Sequence, residues 1–564
     1  MPTCDQLDTA ATLASAPAAE RQNPAVGLDE PATERGAAHA FLLHLQAVVC
    51  STQVLVLLMI TTIYAAVTLL LAEQKLLWSD EFFTLYLARL PELSTLWEAL
   101  STGGDQHPPL FYMMVRVSLW LFGENEIGLR IPSIIGFWVM CLSLYIFVAR
   151  RTTPAYGLLA ALVPAITQAY WYAYEARGYA LMLGFTGLAL VCWQAAAERR
   201  HRKWAVPALV MSLAAAVGSH YYAVLVTIPL AMGELVRTYS TRRINYWVWF
   251  AFGGVLIPLL AFLPIIRSAR GFSEHFWAKP KWIDLLSYPQ SLLGWGITPL
   301  IICLVVIAVR MLLRPSEFDD ETPRKDRQLP AAEVVVAIGL LASPIVAMVL
   351  AKTVTSGFHL RYSLYSVEGW GILFAFVAYR LLSGRAAVGT AIVVTLQCWF
   401  MATALLSVGW EYRSRAGSQL MAKRLQAGPR ADLPLVFGKN ELWYRYTYYN
   451  HDGIAERAVY LADPDKSIQF IGHDTVDRCA LTLEPWFKLP VEPYGAFIKT
   501  HEEFLVYTNL NSYWHWQTTG LLEDNLRLEV LARDGQQLLL LVSRPPRRTT
   551  LDASPTTRFD AWAV

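Results

Sequence analysis

Long apolar runs separated by short polar turns fill most of the chain between residues 54 and 410. Several runs hold about 18 or more uncharged residues, the length that a helix needs to cross a membrane. The pattern predicts an α-helical polytopic membrane protein with about eleven transmembrane helices. The predicted spans are 54–72, 131–149, 155–174, 178–197, two that share 204–236, then 246–266, 291–309, 334–351, 362–382 and 386–410.

Residues 110–122 form an apolar stretch that is too short for a span and that carries Arg116. At about 1.5 Å per residue, a helix here reaches about 20 Å, which is less than the roughly 30 Å of the hydrocarbon core. We therefore expect an amphipathic helix that lies in the interface, with Met113, Met114, Val117 and Leu121 towards the lipid.

The basic turns fix the orientation once this stretch is placed in the interface. Arg150-Arg151, the cluster at 199–203 and the loop at 310–327 then fall on the side of the N-terminus, as the positive-inside rule requires. We expect a multi-pass protein of the plasma (inner) membrane, with a cytoplasmic N-terminus and an extracytoplasmic C-terminal region.

From about residue 430 the pattern changes to short strand-like runs, with Asp534-Gly535 as a hairpin turn. Strands are predicted at 434–438, 458–462, 504–508, 527–532 and 537–543, and a helix at 441–449. These elements predict a small soluble α/β domain. The chain then divides into a disordered tail (1–38), a transmembrane catalytic domain (39–410), an extracytoplasmic α/β domain (411–545) and a C-terminal tail (546–564).

Composition agrees with a membrane protein and argues against nucleic-acid binding. The chain is 55% hydrophobic and only 16% charged, whereas a soluble domain carries about a quarter charged residues. The net charge is +2, and the basic residues lie in short clusters rather than on one face. The seven cysteines are scattered without a CxxC or Cys/His cluster, and no HExxH occurs, so we predict no metal site.

The predicted topology gathers polar residues from separate loops at one side of the membrane. Such a gathering is what a catalytic site at a membrane surface requires. The residues are Asp80, Glu81, His107, Glu175, Arg177, His220, Tyr221, Tyr222, Arg267, Arg270, Lys352, His359, Arg361 and Tyr362.

Several motifs in this half of the chain resemble one enzyme family. Asp80-Glu81 directly after the first span, His107-Pro-Pro-Leu, the stretch 121–126 and then Arg130 resemble the GT-C type glycosyltransferases of the protein-mannosyltransferase and aminoarabinose-transferase kind (glycosyltransferase family 39-like). The resemblance covers about residues 50–410. It implies a hexosyl- or pentosyltransferase that takes a sugar from a polyprenyl-phosphate carrier. The acceptor would be a hydroxyl of a glycan, glycolipid or protein, and the carrier lipid would lie between spans.

The resemblance implies that Asp80 is the catalytic base of an inverting transfer and that Glu81 is a catalytic neighbour that orients it. Positioned general bases contribute typically about 10²- to 10⁴-fold. The alternative for Asp80 is that it caps a helix that starts at Glu81.

Two further pairs match motifs of the family for binding the donor and its phosphate. Glu175 and Arg177 lie in a turn between predicted spans, where many family members have Asp in place of Glu175; the alternative is an interfacial ion pair. Arg361-Tyr362 opens a predicted span, and Arg suits a phosphate through its fork of donors. The alternative for Arg361 is a side chain that snorkels to the interface.

His107, His220 and Tyr221 are candidate substrate-binding residues. The alternatives are a capping histidine at 107 and interfacial belt residues at 220–221. No cofactor is expected, although a divalent cation held by Asp80 and Glu175 stays open, as in some related families.

Two other classes of function compete with an enzyme. A lipid or sugar transporter or flippase without chemistry would hold polar groups near the middle of the bilayer, and Glu368 favours it. A sensor or assembly scaffold with an outer binding domain predicts that the Asp80 region is dispensable.

Overall fold

The computed structural model of the protein describes residues 32–198, 202–313, 328–449, 451–509 and 515–545. The predicted C-terminal tail and most of the predicted N-terminal tail lie outside these residues, and residues 32–38 belong to the first helix. Much of the predicted basic loop 310–327 and part of the cluster at 199–203 also lie outside them.

The membrane half consists of helices packed around one apolar core. Its helices are α1 Ala32–Gln74, α2 Ser79–Ala88, α3 Leu93–Ser101, α4 Leu110–Phe122, α5 Glu126–Ala149, α6 Pro154–Ala165, α7 Tyr179–Ala197, α8 Arg202–Ser219, α9 Thr227–Thr241, α10 Tyr246–Phe252, α11 Leu256–Ala261, α12 Leu263–Ala269, α13 Asp284–Leu293, α14 Ile297–Leu313, α15 Ala331–Leu350, α16 Ser366–Leu381 and α17 Ala386–Gln426.

The described residues hold six helical stretches that are long and apolar enough to cross a membrane, or seven if a bent pair counts as one span. They are Thr52–Gln74, Glu126–Ala149, Tyr179–Ala197, Asp284–Val309, Ala331–Thr355, Ala386–Gln426 and the pair Tyr246–Ala261 with Leu263–Phe272, which is bent by 64°. The protein is therefore an integral membrane protein, but the predicted count of eleven spans is not confirmed.

The difference has a physical cause in helix length. The predicted span 155–174 forms only the 12 residues of α6 and then a 3₁₀ segment, Gln168–Tyr174. The predicted pair 204–236 forms α8 and α9, with a 3₁₀ segment between them. A helix needs about 20 residues to cross the core, and α6 and α9 have only 12 and 15. Helix α8 has 18 residues but begins with the charged pair Arg202-Lys203.

Small residues let the central helices α5 and α7 approach each other closely. A Cβ at Gly136 would lie 2.6 Å from the carbonyl oxygen of Ala180, and one at Gly184 would lie 2.5 Å from that of Gly136. Packing through glycine is typical of helices in membranes. The contact fixes the start of α7, which follows directly after Glu175 and Arg177.

The C-terminal part forms a six-stranded sheet with helices on it. Its elements are β1 Leu435–Phe437, α18 Asn440–Tyr449, β2 Ala458–Ala462, α19 Pro464–Ile471, α20 Thr475–Phe487, β3 Val491–Pro493, α21 Tyr494–Thr500, β4 Glu503–Asn509, α22 Gln517–Glu523, β5 Arg527–Asp534 and β6 Gln537–Ser543.

The strand order is β3-β2-β1-β4-β6-β5. The first four strands are parallel, and β6 runs antiparallel to both β4 and β5. The prediction of a small C-terminal α/β unit is confirmed, and all five predicted strands occur. The predicted boundary at residue 410 falls inside α17, a single helix that joins the bundle to the sheet.

The short helix α2 forms one of the contacts between the two halves. Phe82 stacks on Tyr444 of α18 with ring centroids 5.6 Å apart, and Phe83 packs edge-on against Phe487 of α20 at 5.9 Å. Because these ring contacts hold α2 against α18 and α20, the sheet lies at the end of the bundle where α2 begins.

Candidate active site

Asp80 lies in the first turn of α2, directly after the turn that follows α1. The residue before the helix is Trp78, and no side chain caps this helix end. Asp80 is thus not the capping residue that the alternative interpretation required. An acid in the first turn is also favoured by the helix dipole.

The side chain of Asp80 pairs with Arg361. Nη1 of Arg361 lies 3.2 Å from Oδ2 of Asp80, and the two side chains are 12% and 23% exposed. The guanidinium lies among the rings of Trp78, Tyr179 and Trp277, at 6.0, 5.4 and 5.6 Å from their centroids. Its Nε is buried and has no hydrogen-bond partner among the described residues.

Glu81, the neighbour of Asp80, is fully buried and is held by Arg130. Nε of Arg130 donates to Oε1 of Glu81, and Nη2 of Arg130 donates to Oε2, both at 2.7 Å. The backbone N–H of Ala176 also donates to Oε1 at 2.7 Å. Burial alone would raise the pKa of Glu81, but Arg130 and Lys75 hold it below its usual value. This geometry fits an orienting residue and does not fit a catalytic group that touches a substrate.

Arg177 contacts both Asp105 and the start of α2. Its Nη1 and Nη2 donate to the two Asp105 oxygens at 2.9 and 3.2 Å, and Nη1 also reaches the backbone oxygen of Asp80 at 3.1 Å. Tyr112 donates to Asp105 at 2.7 Å. Arg177 is therefore occupied within the protein and orients the start of α2. Sequence reasoning missed the role of Asp105, although it lies in the same motif as His107.

Glu175 lies behind the exposed Trp171, in a pocket that also holds Lys75. Trp171 Nε1 donates to Glu175 Oε2 at 2.9 Å, and the Lys75 ammonium lies 3.8 Å from the same oxygen and 4.0 Å from Glu81. Burial raises the pKa of Glu175 to about 7, although Lys75 opposes the shift. Lys75 was missed by sequence analysis because it follows an apolar run and looked like an ordinary charge at the end of a span.

Two histidines and several tyrosines form an aromatic wall next to Arg361. The ring of His220 lies 5.4 Å from that of His107 and 5.3 Å from that of Tyr362. Nη2 of Arg177 lies 2.6 Å from Nδ1 of His107. Burial, with Arg177 and Arg361 nearby, lowers the pKa of both histidines, so both rings are neutral at pH 7.

Three cavities meet at the short segment 358–362. A mainly apolar cavity of about 280 Å³ has His107, His220 and Tyr362 among its polar lining residues and Tyr221 on its wall. A second cavity, of about 550 Å³, contains Arg361. A third, of about 430 Å³, shares His359 and Leu360 with the second and Phe276 with the first.

The structure thus brings together the residues that the sequence placed at one side of the membrane. Asp80, Arg361, Tyr362, His107, His220 and Tyr221 surround or approach the cavities, whereas Glu81, Glu175 and Arg177 lie behind them. Their catalytic and binding roles stay predictions.

Glu368 was the residue that favoured a transporter. It is fully buried in α16, and its Oε1 accepts a hydrogen bond from Thr186 of α7. The partner that the sequence did not reveal is therefore a threonine hydroxyl of a neighbouring helix.

The carboxylates at the site face cations of the protein itself. Among the residues that the structure describes, no three His, Cys, Asp or Glu side chains are placed to hold a metal ion. Asp80 faces Arg361 and Glu175 faces Lys75. A divalent cation shared by Asp80 and Glu175 does not fit this arrangement, because hard cations need several free oxygen ligands.

Comparison with known proteins finds a family model that matches part of the chain and solved structures of similar fold. Residues 106–267 match the family described as dolichyl-phosphate-mannose-protein mannosyltransferase. The structure is similar to ArnT from Cupriavidus metallidurans in the apo state, with 13% identity and a TM-score of 0.54, covering 86% of this chain and 97% of that chain. ArnT bound to undecaprenyl phosphate gives 14% identity and a TM-score of 0.52 at the same coverage.

The oligosaccharyltransferase of Archaeoglobus fulgidus tethered with an acceptor peptide is similar at 10% identity, with a TM-score of 0.38, over 80% of this chain and 69% of that chain. No curated protein matches the sequence closely enough to count as a relative. The family match and the ArnT fold together confirm the resemblance of this chain to the GT-C type glycosyltransferases.

Proposed function

We propose that this membrane protein, whose fold is that of the GT-C type glycosyltransferases, is an inverting glycosyltransferase. It moves a monosaccharide from polyprenyl phosphate to a hydroxyl of a glycan, glycolipid or protein at the outer side of the plasma membrane. The observation that carries the proposal is the pairing of Asp80 with Arg361 beside three converging cavities. A carboxylate that accepts a proton and a guanidinium that binds a phosphate are the two groups that this reaction needs.

The mainly apolar cavity suits the isoprenoid part of the donor. Val224, Leu259 and Ile266 are among its apolar lining residues, and its polar lining residues include His107, His220, Arg270 and Tyr362. A prenyl chain that enters between the helices would bring its phosphate to these polar residues, next to Arg361. The ArnT structure with bound undecaprenyl phosphate supports a lipid phosphate as the ligand of this fold.

The reaction is a single displacement at the anomeric carbon. The acceptor oxygen forms a new bond to this carbon while the bond from the carbon to the phosphate oxygen breaks, and the electron pair of that bond leaves with the polyprenyl phosphate. The acceptor proton passes to the carboxylate of Asp80. Arg361 stabilises the negative charge that develops on the departing phosphate, which is the place where preorganised donors contribute most.

The pair of Asp80 and Arg361 also suggests an order of binding. Without a donor, the carboxylate of Asp80 balances the charge of Arg361. When the donor phosphate arrives, it supplies a second anion to the guanidinium, and Asp80 is free to accept a hydrogen bond from the acceptor hydroxyl. The donor therefore binds before the acceptor.

The orientation across the membrane rests on charges at the opposite end of the bundle. Arg151 pairs there with Glu198 and donates from Nε to Glu333 at 2.8 Å. Basic residues at this end support a cytoplasmic assignment for it and an outer position for Asp80.

Release of polyprenyl phosphate tests the proposal against a transporter. The full-length protein in liposomes is supplied with a panel of polyprenyl-phosphate-linked monosaccharides and with a membrane extract as the source of acceptor. Mass spectrometry follows the lipid. A glycosyltransferase produces free polyprenyl phosphate and a glycosylated acceptor, and Asp80→Asn abolishes both. A flippase moves the intact lipid-linked sugar across the bilayer and leaves its glycosidic bond unbroken, which would overturn the proposal.

A further inference from the structure

The cavity of about 430 Å³ lies where the membrane half meets the sheet. Its walls come from the outer loop after α12, from Phe358, His359 and Leu360, and from residues 471–473 between α19 and α20. Both halves of the protein therefore contribute to it. The Thr475 hydroxyl accepts from the Trp277 backbone N–H at 3.2 Å, and the Phe358 N–H donates to the Ala278 oxygen at 2.8 Å, so the loop is bound on both sides.

This cavity is next to the paired Asp80 and Arg361. Trp277, which lines it, lies with its ring 5.1 Å from the ring of His359 and 5.6 Å from the guanidinium of Arg361. His359 and Leu360 also line the cavity that contains Arg361. A molecule that occupies the Arg361 cavity can therefore extend across His359 and Leu360 into this one.

The charge of the cavity is positive. Lys279 and Lys281 line it, both are exposed, and neither forms an ion pair with a carboxylate among the described residues. The one acid in the lining is Asp284, which accepts at 3.3 Å from the backbone N–H of Lys281. Burial lowers the pKa of His359 to about 3, so this ring adds no charge at pH 7. Two cations thus face one carboxylate.

The other lining residues suit a sugar ring and not a prenyl chain. Phe276 and Trp277 are aromatic lining residues. The Ser287 hydroxyl donates to the Asp284 backbone oxygen at 3.1 Å, and its oxygen can still accept a hydrogen bond. The neighbouring cavity with Val224, Leu259 and Ile266 is the one with apolar walls. Because a hydrocarbon tail would have to desolvate two lysines here, the occupant is polar.

We propose that this cavity is a subsite for an acidic sugar unit of the acceptor. The carboxylate or phosphate of that unit pairs with Lys279 and Lys281, and its ring lies against Trp277. The proposal rests on the proposed glycosyl transfer and narrows its acceptor to an anionic glycan or glycolipid longer than one sugar. It also gives the C-terminal sheet a role, since residues 471–473 form one wall of the subsite.

Binding of small sugars to the full-length protein tests this subsite without any transfer. The protein is placed in phosphatidylcholine nanodiscs, and saturation-transfer NMR measures glucuronic acid, glucose 6-phosphate and neutral glucose. We expect both acidic probes to bind at least about 10-fold more tightly than glucose, since charge-assisted hydrogen bonds are the stronger ones. Their binding should weaken at an ionic strength of about 1 M, where charges are screened beyond about 3 Å.

The double variant Lys279→Gln/Lys281→Gln should bind the acidic probes about as weakly as glucose. Lys499→Gln, which removes an exposed lysine of α21 far from the cavity lining, should bind them as the wild type does. Equal binding of acidic and neutral sugars, or unchanged binding by the double variant, would overturn the proposal.

Anionic membrane lipid is another source of the same phosphate chemistry. If phosphatidylglycerol in the nanodisc removes the signal of both acidic probes, a lipid headgroup occupies the cavity and the sugar subsite is refuted; an unchanged signal supports it. A failure of probe binding can be distinguished from a failure of glycosyl transfer, because the two are measured in separate experiments. A protein that binds the acidic probes but releases no polyprenyl phosphate refutes the proposed reaction, whereas one that transfers sugar but does not bind them refutes the subsite.

Discussion

Arg361 Nη1 lies 3.2 Å from Oδ2 of Asp80, although one residue precedes α16 and the other opens α2. The pair thus connects a residue near the beginning of the membrane half with a residue near its end. In an inverting displacement the acceptor attacks opposite the leaving phosphate, so the pair has to separate when the substrates bind, with Arg361 on the phosphate and Asp80 on the acceptor hydroxyl.

Replacing Arg361 should weaken donor binding more than it affects folding. We expect Arg361→Gln to raise the dissociation constant for polyprenyl phosphate by about 10- to 100-fold, because the variant loses a charged fork of donors at the phosphate. Binding is measured with the labelled lipid in detergent. Arg380→Gln, at the other end of α16, is the matched control and should bind as the wild type does. Equal affinity of both variants would remove Arg361 from the donor site.

Glu81 should act on stability and not on chemistry. Glu81→Gln leaves the buried Arg130 without its counter-charge, and breaking a buried pair on one side costs about 3 to 5 kcal/mol. The thermal unfolding midpoint in detergent should therefore fall clearly. The double variant Glu81→Leu/Arg130→Met should recover part of the loss. A Glu81→Gln protein that unfolds like the wild type but has lost transfer would show that Glu81 is catalytic.

Glu175 should make stability depend on pH between about 4.5 and 7. Its pKa in the folded protein is raised to about 7 by burial, so the folded state binds a proton that the unfolded state has already released in this range. The wild type should lose stability as the pH rises through this window, by about 1 to 3 kcal/mol, and little more above it. Glu175→Gln lacks this loss. Unfolding midpoints of both proteins, measured across this pH range, check the sign of the pH effect. If the midpoints of the two proteins change with pH in parallel, Glu175 does not cause the effect.

Arg478 should hold the loop after α12 in place over the site. Its Nη1 donates to the Gly271 oxygen at 2.7 Å, and its guanidinium lies 4.3 Å from the centroid of Phe272, which lines the apolar cavity. We expect Arg478→Ala to lower kcat/KM by about 10-fold, since small displacements of a wall misplace the substrate. Trypsin should also cut faster after Arg270. Arg527→Ala, on the exposed strand β5, is the control. If trypsin cleaves Arg478→Ala no faster than the wild type, Arg478 does not hold this loop in place.

The sequence reveals elements whose patterns are local, and it misses what depends on distant partners. Strand β2, strand β6 and helix α4 have the predicted bounds, because each is a continuous or alternating apolar run between turn residues. The short β3 was missed because its three residues, Val-Glu-Pro, form no apolar run, unlike the equally short β1, which is Leu-Val-Phe. Helices such as α6 and α9 are too short for hydropathy to define as spans, since packing rather than length determines where they end.

The candidate site divides in the same way. Asp80, Arg361 and His107 lie in motifs that can be found in the sequence. Nothing in the sequence indicates that Arg130 would hold Glu81 or that Lys75 would face Glu175, because these contacts depend on how α1, α5 and the 3₁₀ segment before Glu175 pack. Residues that support a site from behind carry no motif that can be recognised in the sequence.

In the proposed reaction, Asp80 takes the acceptor proton during transfer from the lipid phosphate. The single-turnover rate of sugar transfer by Asp80→Asn, with donor binding measured on the same preparation, tests this role. We expect a rate that is lower by about 10²-fold or more, with a donor dissociation constant within about 2-fold of the wild type and an unchanged unfolding midpoint. A rate equal to that of the wild type would contradict it.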